Sequence, residues 1–534
     1  MNGPDDSEEE ILANIATVVQ GIEQFIAAGQ NAEASALLEQ LIPVIAHGIS
    51  FVEEADEVGL FSGLALACAR LSRLEDAQNY AGRAIIENPL DLLAHAILPP
   101  EARIVIARQL IHHQRHDIAR DMLKTVGMTG QSSEGEFYLE LLDFYDTQKA
   151  MARRLAPTAT PDDTRPTLLN LVVWGEDNVQ KCLTYALPSL LALGNIPALA
   201  SESNVILDIY TAEEDRVRFE DDPVYAALSK FAEIRITMIP DSLLDHPPSE
   251  ATPDPDRWCV AGAQYASAVA ARHLDADLVF IDADNLYSES YLSGAKQHID
   301  AGHSGVVAMA TPAPEDAMAD FLKAEPGAQP HCIDVDSTSL LSCANEHMYQ
   351  PFFDAFISSD ETAIERPPTT IFFRMDEGYA THSFQLQPVM ISSDLLPDDF
   401  VFDFLATDAR FMAEIVNGRD PEALLKVVEE SDGDIAIIAL ADETDDAAQG
   451  FAEYPVTPKT CAAAGLELCK KESDIPYFLW AIRQRIIVDC GDLTADLPES
   501  DFDEANTVEE ILDAFEAEIP ETSRAIRFYS GALR

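Results

Sequence analysis

From about Glu8 to Leu155, Ala and Leu recur at three- and four-residue intervals, the period of amphipathic helices. Beyond Leu168 the rhythm changes to short apolar runs alternating with helical stretches. Leu168 to Trp174 (LLNLVVW), Val205 to Tyr210 (VILDIY), Ile234 to Ile239, Leu278 to Ile281 (LVFI) and Gly305 to Ala310 predict strands. Helices are expected over Val179 to Leu193 and from about Arg257 to Leu274. Buried strands separated by helices predict a mostly parallel sheet covered on both faces. After Asp403, FLATDARFMAEIV and YFLWAIRQRII predict helices, IAIIAL a further apolar run, and Asp501 to Glu518 an acidic helix. LAPTATPDDTRPT, rich in Pro, Thr and Asp and without periodicity, marks a boundary. The expected organisation is an all-α domain over 1–155, a linker over 156–167, an α/β domain over 168–415 and a C-terminal α/β extension over 416–534, whose autonomy the pattern leaves open.

Within the helical region the clearest stretch is Leu64 to Pro89. Small residues at Ala65, Ala77, Ala81 and Ala84 let two antiparallel helices approach closely, and Pro89 ends the second. Two weaker echoes place Ala34 and Ala119 where Ala77 stands. This stretch resembles a tetratricopeptide repeat, although the echoes recur at roughly 42 residues instead of the roughly 34 of a regular array.

Charge narrows the partners. With 94 acidic against 34 basic residues the formal charge is -60, so DNA, RNA and anionic lipid are repelled unless a basic patch is concentrated somewhere. An anionic small ligand is still admissible where a divalent cation or a helix N-terminus meets its phosphates. The eight cysteines form no CxxC pair, which argues against a zinc site and against a disulfide framework. MNGPDDSEEEILANI lacks a basic and an apolar segment, and no later run approaches a membrane span, so the expected setting is cytoplasmic. GxGxxG, P-loop, HExxH and GxSxG patterns are absent, leaving dinucleotide, NTPase, metalloprotease and serine hydrolase readings without support.

The chemistry-bearing segment is RWCVAGAQYASAVAARHLDADLVFIDADNLY. A helix leads through LDAD into the strand LVFI, which delivers Asp282 and Asp284 at its carboxyl end, where open α/β sheets bind ligands. Two carboxylates one residue apart can both reach a hard cation, with waters and two phosphate oxygens completing the shell of Mg2+ or Mn2+. Asp275/Asp277 and Asp334/Asp336 repeat the spacing elsewhere.

This arrangement resembles the DxD motif of GT-A glycosyltransferases, over about Leu168 to Asp403. The resemblance implies a Rossmann-like nucleotide-diphospho-sugar transferase domain behind the tetratricopeptide-like helices. It implies Mn2+ or Mg2+ on Asp282 and Asp284, with His382 as a further ligand. Trp174, Gly175, Glu176, Asp177 and Thr211 would face the nucleoside, and Asp376, Glu377 and Asp403 are candidates for a catalytic base. A sugar would pass from a nucleoside-diphosphate donor to a protein or glycan acceptor docked on the repeats. The competing expectation is a non-catalytic scaffold whose repeats recruit partners and whose α/β domain is a degenerate transferase.

Overall fold

The computed structural model describes most of residues 18–48, 58–81 and 100–155, then 164–249, 254–329, 331–347, 363–364, 368–376, 378–398, 408–428, 435–441, 454–469, 472–489 and 502–531. The helical region contains α1 (Asn31–Gly48), α2 (Val58–Arg70), α3 (Pro100–His112), α4 (His116–Gly127) and α5 (Ser133–Ala152). Consecutive helices pack as neighbours from α3 through α5. The alanines singled out by spacing, Ala34, Ala65, Ala77, Ala81 and Ala119, are all buried. Ala84 and Pro89 fall outside the described residues. Arg120 of α4 bridges to Asp143 and, at 2.7 Å, to Asp146 of α5.

The strands of three or more residues among the described residues are β1 (Thr167–Val172), β2 (Val205–Thr211), β3 (Glu233–Met238), β4 (Asp277–Ile281), β5 (Asn285–Tyr287), β6 (Gly305–Ala308), β7 (Thr311–Pro314), β8 (Thr370–Met375), β9 (Gly378–Ser383), β10 (Gln387–Ile391), β11 (Leu425–Val427), β12 (Ile437–Ala441) and β13 (Ile486–Asp489). Seven of them form the main sheet in the order β11-β6-β10-β4-β1-β2-β3. Every neighbouring pair is parallel except those made by β10, which runs antiparallel to β4 and β6. β1 and β2 read as near-continuous apolar runs, interrupted only by Asn170 and Asp208 and the terminal threonines, because both faces are covered: Leu169, Leu171, Leu207 and Ile209 pack with one cluster, Leu168, Ile206 and Tyr210 with another.

Between the sheet and α5 lies α6 (Pro255–Leu274), buried on nearly every side. Its run of Ala, Gly and Ser keeps the helix thin enough to be sandwiched, and Trp258 fills the gap beneath α5, edge-on to Tyr138 at 5.1 Å. One hydrophobic cluster therefore runs from the helical region through α6 into the sheet.

Two expectations need revision. The helix expected over Val179 to Leu193 begins earlier, at Glu176, and contains a π-helical stretch at Cys182–Ala186. YFLWAIRQRII is not one helix: it is helical over Ile475–Arg483, and Gln484 turns extended. The β-branched residues that follow then enter β13, which pairs with β9. The described residues beyond 415 contribute to three sheets: β11 is the edge of the main sheet, β12 lies between β5 and β7, and β13 lies beside β9. Among the described residues no helix is long and apolar enough to cross a membrane.

Candidate functional site

β1 stands at the switch point of the main sheet. The chain leaves it toward β2 and β3 on one side, then returns through α6 to β4 on the other. The carboxyl ends of β1 and β4 are therefore neighbours, with Leu171 opposite Ile281, and the residues that follow each strand emerge at the same edge of the sheet, where open α/β sheets bind ligands. After β4 these are Asp282, half-buried, and Asp284, exposed. The turn they occupy carries the chain from the main sheet into β5 of the small sheet β5-β12-β7.

Neighbouring residues hold this turn. The Asp282 N–H donates to Tyr287 Oη at 2.9 Å, Asn285 Nδ2 donates to Asp282 Oδ2 at 3.1 Å, and the Tyr287 hydroxyl lies 3.3 Å from the Asp282 carbonyl. Phe280, Asp282, Asn285, Tyr287, Tyr291, Gln387, Pro388 and Ile437 line a narrow cleft of about 10 Å³, room for about one water. Burial, followed by the Asp282 charge, pushes the hydroxyls of Tyr287 and Tyr291 above the ordinary tyrosine value, so both are protonated. Asp284 lies near the helix that follows β1, where its charge adds to burial in raising the Cys182 thiol.

The loop after β1 is fixed from β2. Gly175, at φ 82 and ψ 143, donates its N–H to Asp215 Oδ2 at 2.7 Å, and the buried Asp215 is ion-paired with Arg218 at 3.4 Å. Arg218 also reaches Glu176 at 3.1 Å. A side chain at Gly175 would meet nothing within 4 Å, but L-residues rarely adopt this backbone conformation. Gly175→Ala is therefore expected to destabilise by about 2 kcal/mol through backbone strain alone, read as a shift in the urea midpoint at unchanged slope. No shift would mean that the loop relaxes freely.

The structure thus brings Trp174, Gly175, Glu176 and Asp177 to the same edge of the sheet as Asp282 and Asp284. Trp174 is half-buried, and Glu176 and Asp177 are exposed in the first helical turn. Thr211 ends β2 at that edge but is fully buried, its Oγ1 without a hydrogen-bond partner among the described residues. His382 is not brought to the pair: it lies buried on β9, with Nδ1 3.0 Å from the Ile482 carbonyl and Nε2 3.1 Å from Glu504 Oε1. Asp376 is exposed just past β8, a strand of the separate sheet β8-β9-β13, while Glu377 and Asp403 lie outside the described residues.

The other two repeats of the spacing have structural partners. Asp277, at the opposite end of β4, is buried between Lys296 at 3.3 Å and Arg165 at 3.5 Å, and Asp336 caps the helix beginning at Ser337. Among the described residues no three His, Cys, Asp or Glu side chains gather closely enough to hold a cation by themselves. Asp282 and Asp284 fit a hard divalent ion in their donor chemistry, with the rest of the shell left to ligand oxygens and water. Sequence reasoning missed Asn285 and Tyr287, although Asn285 directly follows the motif. It also missed the Gly175–Asp215 clamp, whose partners are 40 residues apart. No protein-family model matches the chain, and no match is found among curated proteins.

Proposed function

We propose that the α/β part of the chain is a GT-A-like glycosyltransferase domain that takes a nucleoside-diphosphate sugar. The single observation that carries this reading is the placement of Asp282 and Asp284 at the carboxyl end of β4, beside the end of β1 at the switch point of a mostly parallel sheet. In this reading Asp282 and Asp284 hold Mn2+ or Mg2+. The ion, when bound, supplies positive charge to the donor's diphosphate as negative charge develops on the leaving group. The protein's own contribution is positional: the Gly175 turn, fixed by Asp215, presents Trp174 and the first helical turn toward the nucleoside. The strongly acidic composition makes a cation the economical way to receive a diphosphate, since the formal charge of -60 would otherwise repel it. The acceptor, a protein or glycan, would dock on the tetratricopeptide-like helices, whose stacked pairs offer an extended surface.

The experiment is a calorimetric titration of the chain with UDP and GDP, with and without Mn2+, alongside the Asp282→Ala/Asp284→Ala double variant. Metal-dependent binding of one nucleotide is expected, weakened at least about 100-fold in the double variant (a loss of about 2.7 kcal/mol). Equal binding by the double variant would remove the assignment. Failure of the native chain to bind either nucleotide would favour the scaffold reading, which the narrowness of the cleft beside Asp282 supports.

A further inference from the structure

We infer that Tyr287 and Asn285 are positioning residues that set the Asp282 carboxylate in the orientation a divalent cation requires; the inference rests on reading Asp282 and Asp284 as the metal pair. The Tyr287 hydroxyl accepts the Asp282 N–H at 2.9 Å and donates toward the Asp282 carbonyl at 3.3 Å, so a single oxygen engages the backbone on both sides of the Asp282 Cα. Asn285 adds an amide donor to Oδ2 of the same carboxylate at 3.1 Å, and its own N–H reaches the Asp282 carbonyl at 3.4 Å. Backbone and side-chain torsions of Asp282 are thus restrained from residues that lie three and five positions on.

Neither group is placed to be a ligand in its own right. Tyr287 is 1% exposed, its ring packs on Tyr291 at 4.6 Å between centroids, and its N–H donates to Ser189 Oγ at 3.2 Å. Asn285 is buried at the start of β5, where Ala439 of β12 pairs with it. The hydroxyl is therefore anchored to the small sheet and to the helix after β1, and it transmits that rigidity to the turn. Two carboxylates one residue apart repel each other, and repulsion favours splayed rotamers. Restraining one of them in advance lowers the ordering cost when a cation arrives, which is the role that outer-sphere hydrogen bonds play around metal ligands.

The test measures Mn2+ binding by electron paramagnetic resonance, with Mn2+ alone and with UDP, and folding by circular dichroism. It uses the full chain and the variants Tyr287→Phe and Asn285→Ala. Tyr287→Phe keeps the ring against Tyr291 and removes only the hydroxyl. Mn2+ affinity is expected to fall about 10- to 100-fold in each variant, with Mn2+ alone and with UDP, while the circular dichroism spectrum stays that of the native chain. A variant that melts at a lower temperature yet binds Mn2+ as tightly as the native chain would show that the hydrogen bonds merely shape the turn, and the inference would be wrong. Should Tyr287→Phe fail to fold, Asn285→Ala decides alone, in the same two directions. Absence of Mn2+ binding in the native chain would instead strike down the metal-pair reading and the inference with it, whereas native binding left intact in both variants removes the inference only.

Discussion

Trp258→Ala is expected to lower the unfolding free energy by about 3–5 kcal/mol, the range for deleting a fully buried large aromatic side chain. Trp258 is 1% exposed and ranks among the largest fully buried side chains. It sits near the start of α6, where it meets Tyr138 of α5 edge to face and helps to close the space between the helical region and the sheet. The neighbours cannot collapse into the void cheaply. Ala261 and Gly262 lie one turn beyond Trp258 along α6, and Tyr138 is held by Phe137 at 5.3 Å. Because one apolar cluster spans both parts, the loss should be felt by both: circular dichroism and the fluorescence of Trp174 and Trp480 should shift together in a urea titration. A loss below about 1 kcal/mol, or a shift confined to one probe, would contradict the picture of a shared core.

The features of this fold that were legible in the sequence are those set by local pattern. β1, β2, β3 and β4 appear within a residue or two of the apolar runs that predict them: β1, β2 and β4 because strands buried on both faces carry few polar residues, and β3, the half-buried edge strand, because Ile234 and Ile236 alternate with Glu233, Arg235 and Thr237. The Ala-rich helix before β4 was readable for a similar reason, and Asp282 and Asp284 followed from the end of a strand. Long-range pairing was not legible. Nothing local places β12 beside β5, although Asn285 and Ala439 are partners, and nothing local inserts β10 antiparallel between β4 and β6. The same limit explains His382. Its distance along the chain from the motif matched a familiar spacing, but β9 pairs with β8 and β13 and points the ring at Glu504, which Arg485 also holds. Asp275 and Asp277 show the converse: the spacing recurs, yet it falls at the start of β4, where Arg165 and Lys296 neutralise the buried carboxylate.

Asp208→Asn is expected to stabilise the chain by about 3 kcal/mol at neutral pH, with the gain disappearing in acid. Asn170, Asp208 and Arg235 stand side by side across β1, β2 and β3, on the face that also receives Ser267 of α6, which hydrogen-bonds to Asn170 at 2.8 Å. Burial is the largest influence on Asp208; Arg235 opposes it, Glu233 reinforces it, and the net result lifts the carboxyl from 3.8 to about 6. A carboxyl whose pKa rises on folding binds more protons in the native state than in the unfolded one, so its contribution to stability is most favourable in acid and declines as pH rises from 3.8 to about 6. Above that window the native chain carries the whole cost of a buried carboxylate, and an asparagine of the same shape does not. Near the sequence pI of about 4.2 the chain has little net charge and would tend to associate, so the comparison belongs above that pH. Between about pH 5 and pH 7.5 the advantage of the variant in urea unfolding should grow by about 1 kcal/mol. A variant less stable than the native chain at pH 7.5 would mean instead that the attraction of Arg235 outweighs the cost of burying the charge, and that the row across the sheet is held together by that ion pair.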